Sequence, residues 1–405
     1  MIDQELARIR ALHDALPVDQ VAGRYVALAR RRPGEPDILQ NLALFLMLKG
    51  EFDAAVEAID QALLLKREPI SYFIKARALD EKMDFAGAID SYLHCLRLDG
   101  DNAKAKFYLS LAYLTSGDFE NGTRLYPYRP LPERGTHVAG IRRWSPGERA
   151  GKVLLWSEQG IGDEVMFLQL LHLVADLDFA FTVECDRRLV SLLTANFPRI
   201  LFVERNGPID VRAIDYQMPI GDLLGVFHQP LLDGRVKRPS LVPVPRPDVA
   251  ARAAQATSSR KLIGLSWLSM NEDYGLRRSI PVETLARTLD PDRHAIAILQ
   301  YLAPEEEVAK LRKRGFSCIA DVDGFNDIEA TFALILACDA VISIDNSVVH
   351  FAGAVGVETH LLLPQVPNWR WGASGGTTYW YPDVRLHRRK RGARWEALVD
   401  TIPIP

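Results

Sequence analysis

A short pattern that returns three times in the N-terminal third of the chain constrains the fold more than any other feature. It occupies residues 50–55, 83–88 and 117–122, and the aromatic residue at its third position is Phe52, Phe85 or Phe119. These phenylalanines lie about 34 residues apart. Apolar residues around them recur at helical spacing, without the alternation typical of strands. The pattern predicts that residues 1–126 form helical hairpins in tandem.

Small residues flank each phenylalanine, as a tight helical hairpin requires. Three places after the ring stands Ala55, Ala88 or Gly122, and the preceding helix carries Ala43, Ala76 or Ser110. Small side chains let two helices approach closely, and the aromatic ring fills the seam between them. This combination resembles the tetratricopeptide repeat (TPR), although Met83 replaces the turn glycine in the second copy.

A repeat stack has a concave face, which is a typical site for an extended peptide or a partner helix. The alternative is that three repeats only cap the next domain or mediate dimerisation. The residues alone leave both interpretations open.

Composition and charge exclude several classes of protein. The 405 residues include 49 Lys and Arg and 52 Asp and Glu, a net charge of −3, whereas a nucleic-acid binder normally has a strongly basic domain. Four cysteines lie far apart without metal-binding spacing, which predicts free thiols at Cys95, Cys185, Cys318 and Cys338. The acidic N-terminus lacks the apolar stretch of a signal peptide, and no run approaches the ~20 apolar residues of a membrane span. We expect a cytoplasmic protein with no transmembrane segment and no nucleic-acid partner.

The sequence changes character after residue 126. Prolines and glycines punctuate residues 127–150, which we interpret as a connector. Short apolar segments then alternate with helical ones, which predicts βαβ units and parallel sheets. The predicted strands are 153–157, 181–185, 200–203, 261–267, 294–299, 341–344 and 360–363. A predicted linker at 246–259 separates two halves, 151–245 and 260–405, each the size of a Rossmann-like domain, and the second ends in a helix.

The first candidate site follows the strand predicted at 153–157. Its residues are Glu158, Gln159, Gly160, Gly162 and Asp163. Glycines at the carboxyl end of a strand allow the backbone to approach a ligand closely. Asp163 suits the N-cap of a helix that we predict to begin at residue 165. A carboxylate at the mouth of a cleft can also accept a proton from a hydroxyl group, and spacing alone does not decide between these roles.

The second candidate site follows the strand predicted at 341–344. Asp345, Asn346 and Ser347 lead into a helix rich in small residues. The backbone N–H groups and the dipole at the start of a helix favour a diphosphate. His350 lies one turn into this helix, where it faces the same ligand or is a partly buried histidine with a local partner.

The third candidate site follows the strand that ends at Trp267. Arg277 and Arg278 are adjacent there and precede Ser279. Guanidinium groups can neutralise a phosphate through paired hydrogen bonds, although a solvated surface pair is the common alternative. We interpret the basic run 388–391 as solvated or close to an acidic partner. The chain lacks HExxH, Walker and Gly-x-Ser-x-Gly motifs, which excludes zinc proteolysis, P-loop hydrolysis and serine-esterase chemistry.

Several motifs in this order resemble the GT-B domain of bacterial TPR-containing glycosyltransferases, which are related to the lipopolysaccharide heptosyltransferases (glycosyltransferase family 9). The motifs are residues 156–167, 278–281, 345–354, 363–371 and 379–382. The resemblance covers residues 144 to about 400. It implies an α plus α/β protein, in which a TPR-like solenoid precedes a GT-B body of two Rossmann-like domains.

The resemblance also implies an activity. It implies inverting, metal-independent transfer of a sugar from a nucleotide-sugar, which is a substrate, so no cofactor and no metal are expected. The residues that match donor-binding positions in the second half are Trp267, Arg278, Ser279, Asp345, Asn346, Ser347 and His350. Asp163 matches the general base, and Glu158, Gln159, Gly160 and Gly162 form the acceptor-side loop. Relatives with a repeat domain are thought to modify proteins, flagellin included, so the TPR-like face would hold a protein or peptide acceptor.

Two departures from the resemblance lie in the implied donor pocket. Asn346 stands where relatives usually carry threonine, and Val349 where alanine is common, so heptose is not implied as the sugar. A second hypothesis is a non-catalytic TPR adaptor, or a nucleotide-sugar-sensing scaffold, whose GT-B body is a relic. The presence of Asp163, Arg278 and His350 favours the enzyme, because a relic is free to lose them.

Overall fold

The computed structural model describes residues 6–7, 9–11, 13, 15–131, 138–148, 150–236, 240–270 and 275–405. The chain divides into two compact units. The repeat unit comprises Met1–Pro130 and Asn368–Ala373, and the α/β unit comprises Leu131–Pro367 and Ser374–Pro405. Helical repeats followed by an α/β body with two parallel sheets match the predicted fold class, which is confirmed.

The repeat unit consists of helices that pack on their neighbours in sequence. They are α1 (Val18–Arg31), α2 (Pro36–Leu48), α3 (Phe52–Leu65), α4 (Pro69–Glu81), α5 (Phe85–Leu98), α6 (Ala103–Ser116) and α7 (Phe119–Leu125). Asp84 and Asp118 cap α5 and α7, because each carboxylate accepts a hydrogen bond from a first-turn N–H group that the helix leaves unsatisfied. The predicted helical hairpins are confirmed for the described residues.

The turns between the repeat helices share a left-handed backbone. Gly50 and Gly117 have φ angles of 78° and 93°. Met83 adopts the same conformation at φ 62°, although this region is unfavourable for a residue with a side chain. The turn geometry of the repeat is therefore preserved where its usual glycine is missing.

Small residues allow the close helix packing that the sequence predicts. The five that are fully buried are Ala43, Ala55, Ala76, Ala88 and Ser110. At Gly122, a Cβ atom would lie 2.7 Å from the side chain of Leu114, so even alanine would force the neighbour to move. The Ser110 hydroxyl donates a hydrogen bond to the Gly122 carbonyl at 2.9 Å, which joins α6 to α7.

The segment Asn368–Ala373 completes the repeat unit, although the sequence places it within the predicted half 260–405. The Ala373 N–H donates to the Thr115 carbonyl at 2.8 Å. The Trp369 ring packs edge-on against Tyr126, with 5.4 Å between the ring centroids. The last helical hairpin therefore gains part of its packing from a segment that is distant in sequence.

A buried carboxylate makes the stability of the repeat unit depend on pH. Burial raises the pKa of Asp80 to about 7, against the hydrogen bond that the Tyr92 hydroxyl donates to it at 2.6 Å. The folded state binds this proton more tightly than the unfolded state does. The contribution of Asp80 to the free energy of unfolding is therefore complete below pH 3.8 and is lost as the pH rises through about 7.

Asp80→Asn is therefore expected to raise the free energy of unfolding at pH 8 by about 1 kcal/mol or more, because the neutral amide incurs no cost for burying a charge. At pH 5 the difference between variant and wild type should shrink. Urea unfolding of the whole chain at both pH values measures this, with the exposed Asp101→Asn as the matched control. A gain at pH 5 as large as that at pH 8 would contradict the assignment.

The α/β unit contains two sheets in which all strands run parallel. The first sheet has the order β1 (Arg142–Arg143), β5 (Tyr216–Pro219), β2 (Lys152–Trp156), β3 (Ala180–Cys185) and β4 (Leu201–Glu204). The second has the order β11 (Val384–Arg388), β10 (Thr359–Leu363), β9 (Ala340–Ile344), β6 (Lys261–Ser266), β7 (His294–Ile298) and β8 (Cys318–Ile319). The seven predicted strands are confirmed to within one residue at each end.

Helices connect these strands, and one more follows the last strand. They are α8 (Ile161–Leu168), α9 (Leu171–Val174), α10 (Val190–Asn196), α11 (Leu223–Leu232), α12 (Pro247–Thr257), α13 (Gly275–Arg278), α14 (Val282–Leu285), α15 (Glu305–Lys313), α16 (Ile328–Ala337), α17 (Ser347–Val355) and α18 (Trp395–Val399). Strand residues such as Ile263, Ile296 and Ile342 are fully buried in one apolar cluster of the second half. Burial on both faces explains why the strands are near-continuous apolar runs.

Several regions that the sequence presents as connecting chain hold regular structure. The predicted connector 127–150 contributes the edge strand β1, and the predicted linker 246–259 contains α12. The prediction that the basic run 388–391 is solvated is wrong for Arg388, which ends β11 and donates to the carbonyls of Ser374 and Gly375 at 3.0 and 2.8 Å. A run of charged residues suggests a solvated surface, so the sequence did not indicate that Arg388 belongs to a strand.

The cysteines and the helix lengths test two expectations from composition. All four thiols are free, as predicted, and burial raises the pKa of Cys185 to about 12, which disfavours its reactive thiolate form. In the described part of the chain, no helix has both the length and the apolar character that crossing a membrane requires.

Candidate functional site

The loop after β2 lies at the carboxyl end of the first sheet, where open α/β sheets hold their ligands. Helix α8 begins at Ile161, and Gly160 is its N-cap. Asp163 is therefore the third residue of the helix, and the alternative role predicted for it as the N-cap is wrong. Its half-buried side chain belongs to the first turn, where the positive end of the helix dipole favours a carboxylate.

Gly162 brings the first candidate site against the second. A Cβ atom on Gly162 would lie 3.0 Å from the Cα atom of Ser347 and 3.2 Å from the Cδ2 atom of His350. A side chain at this position would therefore crowd α17 unless α17 moved by a few tenths of an ångström. The first turns of both helices therefore meet, and residues from the two Rossmann-like halves form a single site.

Asn346 builds the start of α17. Its side-chain oxygen accepts a hydrogen bond from the Val348 N–H at 3.0 Å, which caps the helix. Its amide nitrogen donates to the Ser266 hydroxyl at 2.7 Å and to the Leu268 carbonyl at 3.3 Å. These bonds tie the helix start to the end of β6. The asparagine that stands in place of threonine therefore stabilises the start of α17.

An ion pair joins the third candidate site to the second. The Arg278 guanidinium lies 3.2 Å from the Asp345 carboxylate and donates to the Asp345 carbonyl at 3.2 Å. The Arg278 side chain is 16% exposed and the Asp345 side chain 6%, so the cation keeps a face toward solvent while the carboxylate is buried. Arg278 is thus fixed beside the N-terminus of α17.

Ser279 and His350 support this arrangement from either side. The Ser279 hydroxyl accepts from the Ser269 N–H at 3.1 Å and donates to the Gly275 carbonyl at 2.8 Å, which shapes the turn around Arg278. The His350 ring is buried, and its Nδ1 atom lies 3.0 Å from the Tyr381 hydroxyl. The histidine therefore has a local partner, as one of its two interpretations predicted, and also borders Gly162.

Two further predicted site residues, Trp267 and Glu158, are buried and make structural contacts. Trp267 is fully buried in the apolar cluster of the second half, and its indole N–H donates to Glu307. Its ring is therefore not available to stack on a base. Glu158 is buried and accepts a hydrogen bond from the Gly221 N–H at 2.9 Å, which anchors the loop that leads to α8.

Sequence reasoning missed a buried carboxylate and the arginine that pairs with it. Glu164 follows Asp163 in α8, and its carboxylate is paired with Arg205, the residue after β4. Arg205 also donates to the Gln159 carbonyl at 2.9 Å. The only local signal was a second acidic residue in the helix, which suggests a solvated position rather than a buried one.

A cleft of about 300 Å³ opens at the carboxyl ends of β3 and β4. Its lining residues are Asp186, Arg187, Arg188, Glu204, Arg205, Phe325 and Asn326. Arg188 donates to the Phe325 carbonyl at 2.6 Å and thereby links the first half to the second. Hydrogen bonds from Arg188 lower the pKa of Asp186, so the carboxylate stays charged and holds the guanidinium in place.

The site can stabilise negative charge beside a carboxylate. A helix N-terminus and Arg278 supply donors for an anionic group such as a diphosphate. Asp163 lies one residue from the glycine that contacts this helix start. Among the described residues, no group of three or more His, Cys, Asp and Glu side chains is placed to hold a metal ion.

Comparisons with known proteins concern both units. Residues 36–69 match the tetratricopeptide repeat family. The matched residues contain α2 and α3, one helical hairpin of the repeat unit. Protein FlbA of Caulobacter vibrioides is 28% identical over an alignment that covers 95% of this chain and 75% of FlbA. Cellulose synthase operon protein C of Pseudomonas fluorescens is 28% identical over 26% of this chain and 9% of its own length.

Two kinds of solved structure are also similar. A crystal structure of MamA covers 27% of this chain and 66% of its own chain at 21% identity, with a TM-score of 0.27. The glycosyl transferase family 9 structure from Veillonella parvula covers 64% of this chain and 92% of its own chain at 12% identity, with a TM-score of 0.42.

Proposed function

We propose that the chain is an inverting glycosyltransferase that moves a sugar from a nucleotide-sugar to an acceptor without a metal ion. The convergence of three elements in one site carries this proposal. In this proposal the N-terminus of α17 and Arg278 face the diphosphate of the donor, and Gly162, the residue before Asp163 in α8, packs against that helix start. A cation beside a helix start, with a carboxylate on the helix packed against it, suits a reaction in which a phosphate leaves as a proton is removed.

The second half takes the donor. The bond between the anomeric carbon and the diphosphate oxygen breaks, and negative charge grows on the departing diphosphate. The positive end of the α17 dipole and the guanidinium of Arg278 stabilise that charge without rearrangement, because the capped helix start and the ion-paired arginine are fixed in place beforehand. Asn346 and Asp345 are positioning residues in this scheme.

Asp163 acts as the general base. It accepts the proton of the acceptor hydroxyl as the acceptor oxygen attacks the anomeric carbon from the side opposite the diphosphate, which inverts the configuration. A single displacement of this kind needs one base and no covalent enzyme intermediate. Asp163 lies in the first turn of α8, at the carboxyl end of β2.

The acceptor in this proposal is a protein, such as flagellin, that the TPR face holds, and the reaction takes place in the cytoplasm. The supporting observation is the tetratricopeptide repeat itself, whose stacked helices commonly bind peptides. Leu44 and Ile70, which belong to successive repeats, are exposed apolar side chains that an extended peptide could cover.

A thermal-shift panel with UDP, GDP, ADP, CDP and CMP tests donor binding. A nucleotide at ~100 times its dissociation constant adds ~2.7 kcal/mol of stability to the unit that binds it. For a unit of this size we expect one nucleotide to raise the melting temperature by about 5 °C or more, with EDTA present. If no nucleotide shifts the folded chain, the proposal fails and the non-catalytic adaptor is favoured.

A further inference from the structure

The carboxylate of Glu164 is among the most deeply buried charged groups of the α/β unit, with its side chain 1% exposed. One of its oxygens accepts a hydrogen bond from the Ser157 hydroxyl, and the other accepts from the Asp186 N–H at 2.8 Å. Ser157 follows β2 and Asp186 follows β3. Glu164 therefore fastens α8 to the carboxyl ends of two neighbouring strands.

Arg205 extends the same attachment to a third strand. Its guanidinium is paired with Glu164, and its side chain is only 19% exposed. It also donates to the Gln159 carbonyl at 2.9 Å, in the loop that leads into α8. Its own backbone N–H donates to the Cys185 carbonyl at 2.8 Å, which fixes the arginine to the end of β3.

Burying an ion pair is costly unless its hydrogen bonds are directional and nearly complete. A few apolar side chains would fill the same space and stabilise the helix at least as well. An apolar contact, however, is not directional, whereas these bonds fix the rotation and the height of the first turn of α8. The residue whose position they determine most closely is the neighbour of Glu164 in that turn, Asp163.

We propose that Glu164 and Arg205 form a positioning pair that holds Asp163 in register with the donor site. This inference rests on the proposed function, because Asp163 is the base of that reaction. Neither residue of the pair is one of the groups assigned to the donor or to proton transfer. Its loss should therefore lower kcat and leave nucleotide affinity nearly unchanged.

Two substitutions test this proposal in the full chain. Glu164→Gln keeps the shape of the side chain but removes the charge that holds Arg205. Arg205→Lys keeps the positive charge but lacks the planar fork that reaches Glu164 and Gln159 together. Each should lower kcat by about 10- to 100-fold, as a misplacement of about 1 Å does, with the dissociation constant of the nucleotide within about twofold of wild type.

The decisive readout is the combination with Asp163→Asn. If the pair acts through Asp163, adding Glu164→Gln to Asp163→Asn should cost no further rate, whereas independent sites would multiply their losses. Glu148→Gln is the matched control, because Glu148 is also paired with an arginine, Arg142 of the edge strand β1, and is not part of α8. That control should retain wild-type kcat.

The outcomes separate the inference from the proposed function. A wild-type kcat in Glu164→Gln and Arg205→Lys, or a multiplied loss in the double variant, overturns the positioning role. Loss of nucleotide binding together with kcat makes the pair structural and overturns it as well. A wild-type chain that transfers no sugar overturns the proposed function, and the positioning role with it. If Glu164→Gln does not fold, Arg205→Lys alone and combined with Asp163→Asn gives the same decision.

Discussion

Asp163→Asn is expected to lower the rate of sugar transfer by about 10²- to 10⁴-fold, the usual contribution of a general base. The amide is close in shape to the carboxylate but cannot take the proton of the acceptor hydroxyl. Nucleotide affinity should be unchanged, because the groups that face the diphosphate belong to the second half. Steady-state release of the nucleotide from its sugar in the presence of acceptor measures the loss, and calorimetric titration measures the affinity.

The matched control for this variant is Asp176→Asn. Asp176 is an exposed aspartate in the same Rossmann-like half, on the turn after α9, so the change in net charge is identical. It should transfer sugar at the wild-type rate. A normal rate in Asp163→Asn would show that another group removes the proton, and equal losses in both variants would indicate an effect of charge alone.

Arg278→Ala is expected to weaken nucleotide binding by about 10- to 100-fold, since a charge-assisted hydrogen bond contributes about 1.5–3 kcal/mol. The substitution also removes the cation beside the buried Asp345 carboxylate, which then faces the incoming diphosphate with less compensation. Both effects oppose a diphosphate. Titration calorimetry with the nucleotide that stabilises the wild-type chain measures the change.

Arg252→Ala is the control for Arg278→Ala. Arg252 lies in α12 and forms an exposed ion pair with Asp321 at 2.8 Å, so its loss removes the same charge at the surface. Its nucleotide affinity should match that of the wild type. If Arg278→Ala binds as tightly as Arg252→Ala, the diphosphate is held elsewhere.

The sequence predicted well those features that local pattern determines. Repeats with small residues at fixed offsets predicted the helical hairpins, and buried strands appeared as apolar runs that end at polar residues. The polar residues after β6 and β9 could therefore be predicted to lie together, because parallel strands of one sheet bring their carboxyl ends to the same edge. The loop after β2 belongs to the other sheet, so this rule does not predict that it meets them. The detailed contacts of these site residues depend on residues that are distant in sequence.

Three residues illustrate what local pattern does not contain. Trp267 follows an apolar strand in a manner that suits either a binding site or a core, and only the packing around it shows that it is buried. Gly162 was predicted to let the backbone approach a ligand, but the structure packs α17 against it, with the Ser347 Cα atom 3.0 Å from where a Cβ atom would lie. Glu164 looks solvated until Arg205, which comes from another strand, is brought next to it.

The segments predicted to join the domains hold regular structure for a related reason. Proline and glycine marked residues 127–150 as connecting chain, yet Arg142–Arg143 adds a strand because an exposed edge of the first sheet is available to pair with it. The alanine-rich segment marked as a linker is helical because alanine is the best helix former, and its Val249 side chain is buried. Composition indicates where a regular pattern is interrupted, but not whether the interrupted segment pairs with a nearby strand or packs as a helix.

Hydrogen–deuterium exchange of the whole chain, with and without the nucleotide that stabilises it, tests the donor site most directly. At saturating nucleotide, we expect slower exchange in peptides that cover residues 275–281 and 344–351, because their N–H groups lie at Arg278 and at the start of α17. Exchange in the repeat unit should not change. Protection confined to the repeat unit or to the first half, with residues 344–351 unaffected, would contradict the assignment of the nucleotide-sugar to this site.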